Sequence, residues 1–162
     1  MSKPLLSILL IFSISQPALA KDALGVFGQW GAFRDPATPR CYAIAKAEPS
    51  RSARDHQPYA SVGTWPKRGV RGQVHLRLSR TISKERPVRL RVGGASFTLS
   101  GGGGDAWAKD RSMDAAIVAG MRSAGRMTVS ATDRRGRRFS DSYDLSGAAT
   151  ALDAATVACA RR

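Results

Sequence analysis

The chain has 162 residues, 43% hydrophobic and 23% charged, with 26 Lys and Arg against 12 Asp and Glu for a formal net charge of +14. That length supports one compact core and requires no second one. The charge favours polyanionic partners, although net charge speaks to non-specific attraction and association kinetics more than to a defined site.

The first twenty residues have the order of a secretory leader. Lys3 supplies a positive start, Leu5 to Ile14 an apolar centre broken by Ser7 and Ser13, and Ala18-Leu19-Ala20 a small-residue cleavage site. An apolar stretch of about ten residues falls short of the roughly 20 needed to span a bilayer, and Pro17 ends it. No transmembrane segment is therefore expected, and the absence of a cysteine after the junction argues against a lipoprotein anchor. Cleavage between Ala20 and Lys21 leaves 142 residues (162 less 20) outside the cytosol and lowers the net charge by one. In an oxidising compartment the two cysteines, Cys41 and Cys159, are expected to pair. In the loop-closure account, a bridge across so long a segment stabilises by about 4–5 kcal/mol.

Beyond the leader, short period-two runs alternate with glycine and proline punctuation and give way to helical periods, which predicts an α+β, mainly β domain. Strands are expected over Val26 to Arg34, Cys41 to Ala47 and Tyr59 to Trp65. Asp35 to Pro39 and the polar stretch Glu48 to Pro58 read as loops between them. Gly72 to Arg80 alternates cleanly, with Val74, Leu76 and Leu78 on one face and Gln73, His75, Arg77 and Ser79 on the other. Pro87 to Val92 repeats the scheme, and Phe97 and Leu99 follow a Gly93-Gly94 turn. Three adjacent antiparallel strands are the economical reading, with His75, Arg77, Arg89 and Arg91 forming a basic stripe if the register pairs them.

After Gly101 to Gly104 the period becomes helical: Met113, Ile117, Gly120 and Met121, with Ala116 and Ala124, share one stripe. Asp110 or Ser112 can cap its start and Gly125 can end it. Met127, Val129 and Ala131, then Phe139, Tyr143 and Leu145, form a hairpin whose tip carries Arg134, Arg135, Arg137 and Arg138. Asp141 falls on the apolar side of that hairpin, so it lies either near a sheet end or beside an arginine. A final helix, capped by Ser146, repeats Ala148, Leu152, Ala155 and Cys159 on one face and aims the cysteine at the core.

The catalytic inventory is thin. His56 sits in a polar loop and His75 on an outward strand face, and neither has a metal-ligand spacing, so no metal or cofactor is expected. No Gly-x-Ser-x-Gly motif occurs, and oxidised cysteines leave no thiolate. The glycine run lacks the Gly-Lys-Ser/Thr ending of a phosphate loop and reads as a flexible turn. Trp30 and Trp65 read as packing residues, and Trp107, beside the glycine loop, as the tryptophan most open to a ligand.

Three segments carry a resemblance. Phe27-Gly28-Gln29-Trp30, then Arg40-Cys41-Tyr42-Ala43, then Tyr143-Asp144-Leu145-Ser146-Gly147 with alanines up to Cys159 resemble the invasion-associated locus B protein family of Gram-negative bacteria. The central cysteine pair of many members is missing, and Thr64 to Leu78 matches only loosely. The resemblance implies a small β-sandwich-like, non-enzymatic protein of the periplasm or outer surface, and it carries over no catalytic residue. The expectation is an exported envelope protein whose candidate anion-binding residues are Arg77, Arg89, Arg91, Arg134, Arg135, Arg137 and Arg138. Its partners would be anionic envelope polymers, or an envelope or host protein, with no specific nucleic acid. The alternative is an inhibitor or binding partner of a secreted enzyme acting through the loop Glu48 to Pro58.

Overall fold

Ten antiparallel strands and two helices build the computed structural model, which describes residues 20–160. The leader up to Leu19 lies outside the described residues, and the Ala20–Lys21 junction lies at their start. The strands are β1 (Asp22–Phe27), β2 (Trp30–Asp35), β3 (Arg40–Lys46), β4 (Tyr59–Trp65), β5 (Val70–Arg77), β6 (Val88–Val92), β7 (Ala95–Gly102), β8 (Asp105–Trp107), β9 (Arg126–Thr132) and β10 (Arg138–Asp144); the helices are α1 (Arg111–Ser123) and α2 (Ala148–Ala160). Their order across the sheet is β1-β2-β3-β4-β5-β8-β7-β6-β9-β10. The α+β, mainly β expectation holds.

Two features differ from the sequence reading. The run Val26 to Arg34 is not one strand: it turns at Gly28, whose φ of 57° lies in the left-handed region, and pairs β1 with β2. The three strands expected side by side are also separated. The three-residue β8 lies between β5 and β7, so β5 meets neither β6 nor β7. β7 joins the two halves of the sheet, pairing with β6 through Ala95–Leu99 and with β8 through Ser100–Gly102. Within the glycine run, Gly101 and Gly102 are strand residues and only Gly103-Gly104 turns. The carbonyls of that pair accept from Ile82 N and Leu78 N, which ties the turn to the body.

The sheet folds over on itself. Ser142 O, on the outermost strand β10, accepts from Glu48 N just past β3 at 2.8 Å. The enclosed core differs between the halves. On β2 to β4 it is built from Trp30 and a field of alanines (Ala32, Ala43, Ala45, Ala60), against which α2 lays Ala148, Ala151, Leu152 and Ala155. Small side chains on both partners let a helix sit close to a sheet, and the Cys41–Cys159 disulfide forms across that contact, with Cα atoms 5.8 Å apart. On β6, β9 and β10 the core is bulky: Val88, Leu90, Val92, Met127, Val129 and Tyr143.

Particular contacts set both ends of α1 and the start of α2. Asp110 caps α1 by accepting from Met113 N at 2.8 Å, and Ala124, with extended backbone, ends it in place of Gly125. Asp114, one turn into α1, is buried because it takes over a strand partner's duty: Val74 N on β5, just beyond the end of the short β8, donates to Asp114 Oδ1 at 2.8 Å. Burial, opposed by that hydrogen bond and reinforced by nearby Asp110, raises the Asp114 pKa. Ser146 does not cap α2 as expected: the helix begins two residues later, at Ala148, and the Ser146 hydroxyl turns back to donate to Asp144 Oδ1 at 2.6 Å.

Candidate functional site

Side chains of a strand alternate between the faces, so once Val88, Leu90 and Val92 point inward, Arg89 and Arg91 must point out. The register sets their neighbours. One cross-strand row reads Thr98–Arg89–Ser130–Ser140 and the next Ser96–Arg91–Thr128–Ser142, while Arg138 stands opposite Thr132. The outer face of β7, β6, β9 and β10 is therefore a field of hydroxyls with arginines standing in it. The carboxylate in these rows, Asp144, lies at the far end opposite Arg126 and is held below the usual range by hydrogen bonds from the Ser146 hydroxyl and amide. An open depression of about 610 Å³ on this face is lined by Arg86, Arg89, Arg138, Ser130 and Ser140, among others.

The hairpin tip adds to the face and is built on one buried carboxylate. Asp133 Oδ1 accepts from the amides of Arg135 and Arg137, and Oδ2 from Arg137 Nε and from Arg80 Nη1, all within 3.1 Å. Burial works against ionisation of Asp133, but these bonds outweigh it and lower the pKa to about 2. The tip's four arginines thus divide. Arg137 is paired to Asp133, whereas Arg134, Arg135 and Arg138 are exposed, and Arg134 and Arg138 line a second depression together with Arg86.

Of the expected anion-binding residues, the fold brings Arg89, Arg91 and Arg138 onto one face, with Arg134 and Arg135 at its border. It separates Arg77 from them. Arg77 lies on β5 and donates to Asp105 Oδ2 at 2.7 Å, and the same carboxylate meets His75 Nε2 at 3.0 Å. The continuous stripe of His75, Arg77, Arg89 and Arg91 does not form, because two strands intervene between β5 and β6. Arg86 is the residue the sequence reading missed. It precedes Pro87, outside the alternating run, and it lines both depressions.

The loop 48–58 is anchored at both ends, by Glu48 N donating to Ser142 O and by Asp55 N and His56 N donating to Ser79 O. The Arg54 guanidinium donates to Glu48 O at 2.6 Å and comes within 3.9 Å of buried Asp141, and Arg80 grips Ala53 O. This answers the open question about Asp141: it lies beside an arginine, and it also accepts from Ser79 N at 2.9 Å. Residues 49–53 form the exposed tip of the loop.

The segments that carry the family resemblance meet in space. Gln29 N donates to Ser146 O at 3.2 Å and Trp30 Nε1 to Asp144 O at 2.9 Å, so the first motif and the last form one joint. Gly28 and Gly147 make it possible. Both have left-handed φ, and a Cβ on Gly147 would stand 1.9 Å from Phe27 O. These motifs hold β1–β2 to the start of α2; their role is architectural. A solved structure shows the same architecture. The crystal structure of invasion associated protein B from Bartonella henselae superposes with a TM-score of 0.61 at 18% identity, over 85% of this chain and 98% of that one. The two share a fold. No family model matches the chain, and no curated protein matches it. Among the described residues no helix is long and apolar enough to cross a membrane, and no cluster of His, Cys, Asp or Glu is arranged to hold a metal ion.

Proposed function

We propose that this chain is a non-enzymatic, exported protein of a Gram-negative cell envelope that contacts anionic envelope polymers through the outer face of β6, β9 and β10. The observation that carries this reading is the register of that face, which sets Arg89, Arg91 and Arg138 among serine and threonine hydroxyls, with Asp144 the carboxylate in those rows and Glu85 at the border beside Arg138. Phosphate and sulfate groups take charge from guanidinium and hydrogen bonds from hydroxyl, so the face offers both requirements together. The leader, the disulfide and the fold shared with an invasion associated protein support export.

Two experiments test it. Mature protein should appear in the periplasmic or secreted fraction, and full-length chain held in the cytosol with reduced thiols would defeat the reading. Binding to lipopolysaccharide or heparin should weaken steeply as salt rises, and the triple variant Arg89→Glu, Arg91→Glu, Arg138→Glu should lower affinity at low salt by about tenfold or more. Binding indifferent to salt, or unmoved by that triple reversal, would reject the face.

A further inference from the structure

The other half of the sheet has an outer face of a different kind. One row across it reads Gly31–Ile44–Ser61–His75–Trp107, the next Phe33–Tyr42–Gly63–Gln73, and Tyr59 stands opposite Arg77. Apart from Trp30 and Cys41, the inward apolar positions on these strands are alanine, valine and leucine, so Phe33, Tyr42, Tyr59, Trp65 and His75 stand on the outer face and do not fill the core. Trp107 is 37% exposed, and the other rings are half-buried.

The rings are held in place. His75 stacks on Trp107 with centroids 5.3 Å apart and is anchored through Nε2 to Asp105, and Tyr59 packs edge-on against its other side. The Trp65 indole overlies Gly63, where a Cβ would come within 2.7 Å of the ring, so the glycine lets the indole lie across the strand. Arg40 sits over Tyr42 at 4.6 Å and over Trp65 at 5.9 Å. Between the two groups of rings, Ser61 and Gly63 leave a trough of about 520 Å³. Its lining includes Lys21 and Arg40 and no carboxylate, while buried Asp35 comes within 3.6 Å of Arg40 Nε and helps to fix it.

We propose that this trough binds an acidic saccharide, with a pyranose ring stacked on Trp107 and the carboxylate or sulfate group met by Lys21 and by Arg40, which the Tyr42 ring, backed by Phe33, holds in place. Fixed aromatic faces separated by a small-residue floor suit flat ligands with apolar faces and polar rims, and the Ser61 hydroxyl and Gln73 amide can serve the rim. The cations select a negative charge. A peptide strand is disfavoured because β4 is paired on both edges, leaving no free backbone to extend. A nucleic-acid strand needs cations along its path, whereas here they stand at one rim. The inference rests on the exported reading, since cleavage before Lys21 would add the mature α-ammonium group to the same rim.

The test is a titration of mature protein with trigalacturonate, followed by tryptophan fluorescence and calorimetry. Saturable one-to-one binding is expected, weakened about tenfold or more by Trp107→Ala and by Arg40→Gln. The neutral galactose trimer should bind at least tenfold more weakly. Arg89→Glu with Arg91→Glu should leave trigalacturonate affinity unchanged, which separates this site from the arginine face: loss of polymer binding with trimer binding retained defeats the other proposal and not this one. No saturable binding, affinity unmoved by Trp107→Ala and Arg40→Gln in folded variants, equal affinity for the neutral trimer, or tighter binding of oligo-dT would each overturn the inference.

Discussion

The two halves of the sheet solve burial in opposite ways. On β2 to β4 the inner face is mostly alanine around one large ring, Trp30, and the outer face aromatic; on β6, β9 and β10 the inner face is bulky throughout and the outer face is arginine and hydroxyl. Trp30 apart, the first half keeps its large side chains on the surface and covers its alanines with a helix, so it depends on close approach and on a covalent tie. The second half keeps its large side chains inside and depends on their volume. Apolar area buried is what stabilises a core, and a half made of alanines has little per residue to contribute.

That contrast ranks the consequences of mutation. Removing the tie should hurt most: the double variant Cys41→Ser, Cys159→Ser should lose about 4–5 kcal/mol of unfolding free energy in a chemical-denaturation experiment. A loss under about 1 kcal/mol would mean that the alanine contact holds α2 without the bond. Next come two substitutions that act in opposite senses. Leu90→Ala, in the bulky half, should lose about 2–5 kcal/mol because it opens a cavity among Val129 and its neighbours. Ala43→Leu, in the close-packed half, should lose about 1–3 kcal/mol because the added atoms push α2 away from β3. Equal tolerance of enlargement in both halves would erase the distinction.

Much of this was legible in the sequence, and what was not has physical causes. Alternation is a local signal, so Tyr59 to Trp65, Val88 to Val92 and the hairpin around Asp133 could be read directly, as could the inward aim of Cys159. Strand order is not local. Asp105-Ala106-Trp107 is too short to show a period, yet its insertion divides the expected basic stripe and makes Asp114 a partner for Val74. Aromatic residues mislead in the same way. Trp30 and Trp107 are the same residue type, but Trp30 is fully buried and Trp107 stands on the surface, and only the register tells which parity of each strand faces α2. The arginine face was half visible: Arg89, Arg91 and Arg138 were expected, while Arg86 and the surrounding hydroxyls became neighbours only through pairing.

Two carboxylates sharpen the comparison through pH. Asp133 supports the tip of the bulky half, with its folded pKa near 2 against an ordinary 3.8. A depressed pKa means stability that is present above the unfolded value and lost as pH falls from about 4 towards 2. Asp133→Asn should therefore lower the melting temperature at pH 7 and flatten its decline between pH 4 and pH 2. A parallel decline in both proteins would show that other groups set the acid limit.

Asp114 should behave in the reverse sense, with the smallest effect of the set. It stands between α1 and β5, its pKa is raised by burial, and its hydrogen bond from Val74 N requires only an acceptor oxygen. A raised pKa means stability that is full below the unfolded value and declines as pH rises through the folded one, so at pH 7 the ionised carboxylate is a burden. Asparagine keeps the acceptor and removes the charge. Asp114→Asn should raise the melting temperature slightly at pH 7 and leave it unchanged near pH 3, where the wild-type carboxyl is already protonated. A loss of stability at both pH values would mean that the second carboxylate oxygen, and not the charge, is what the junction of α1 with β5 uses.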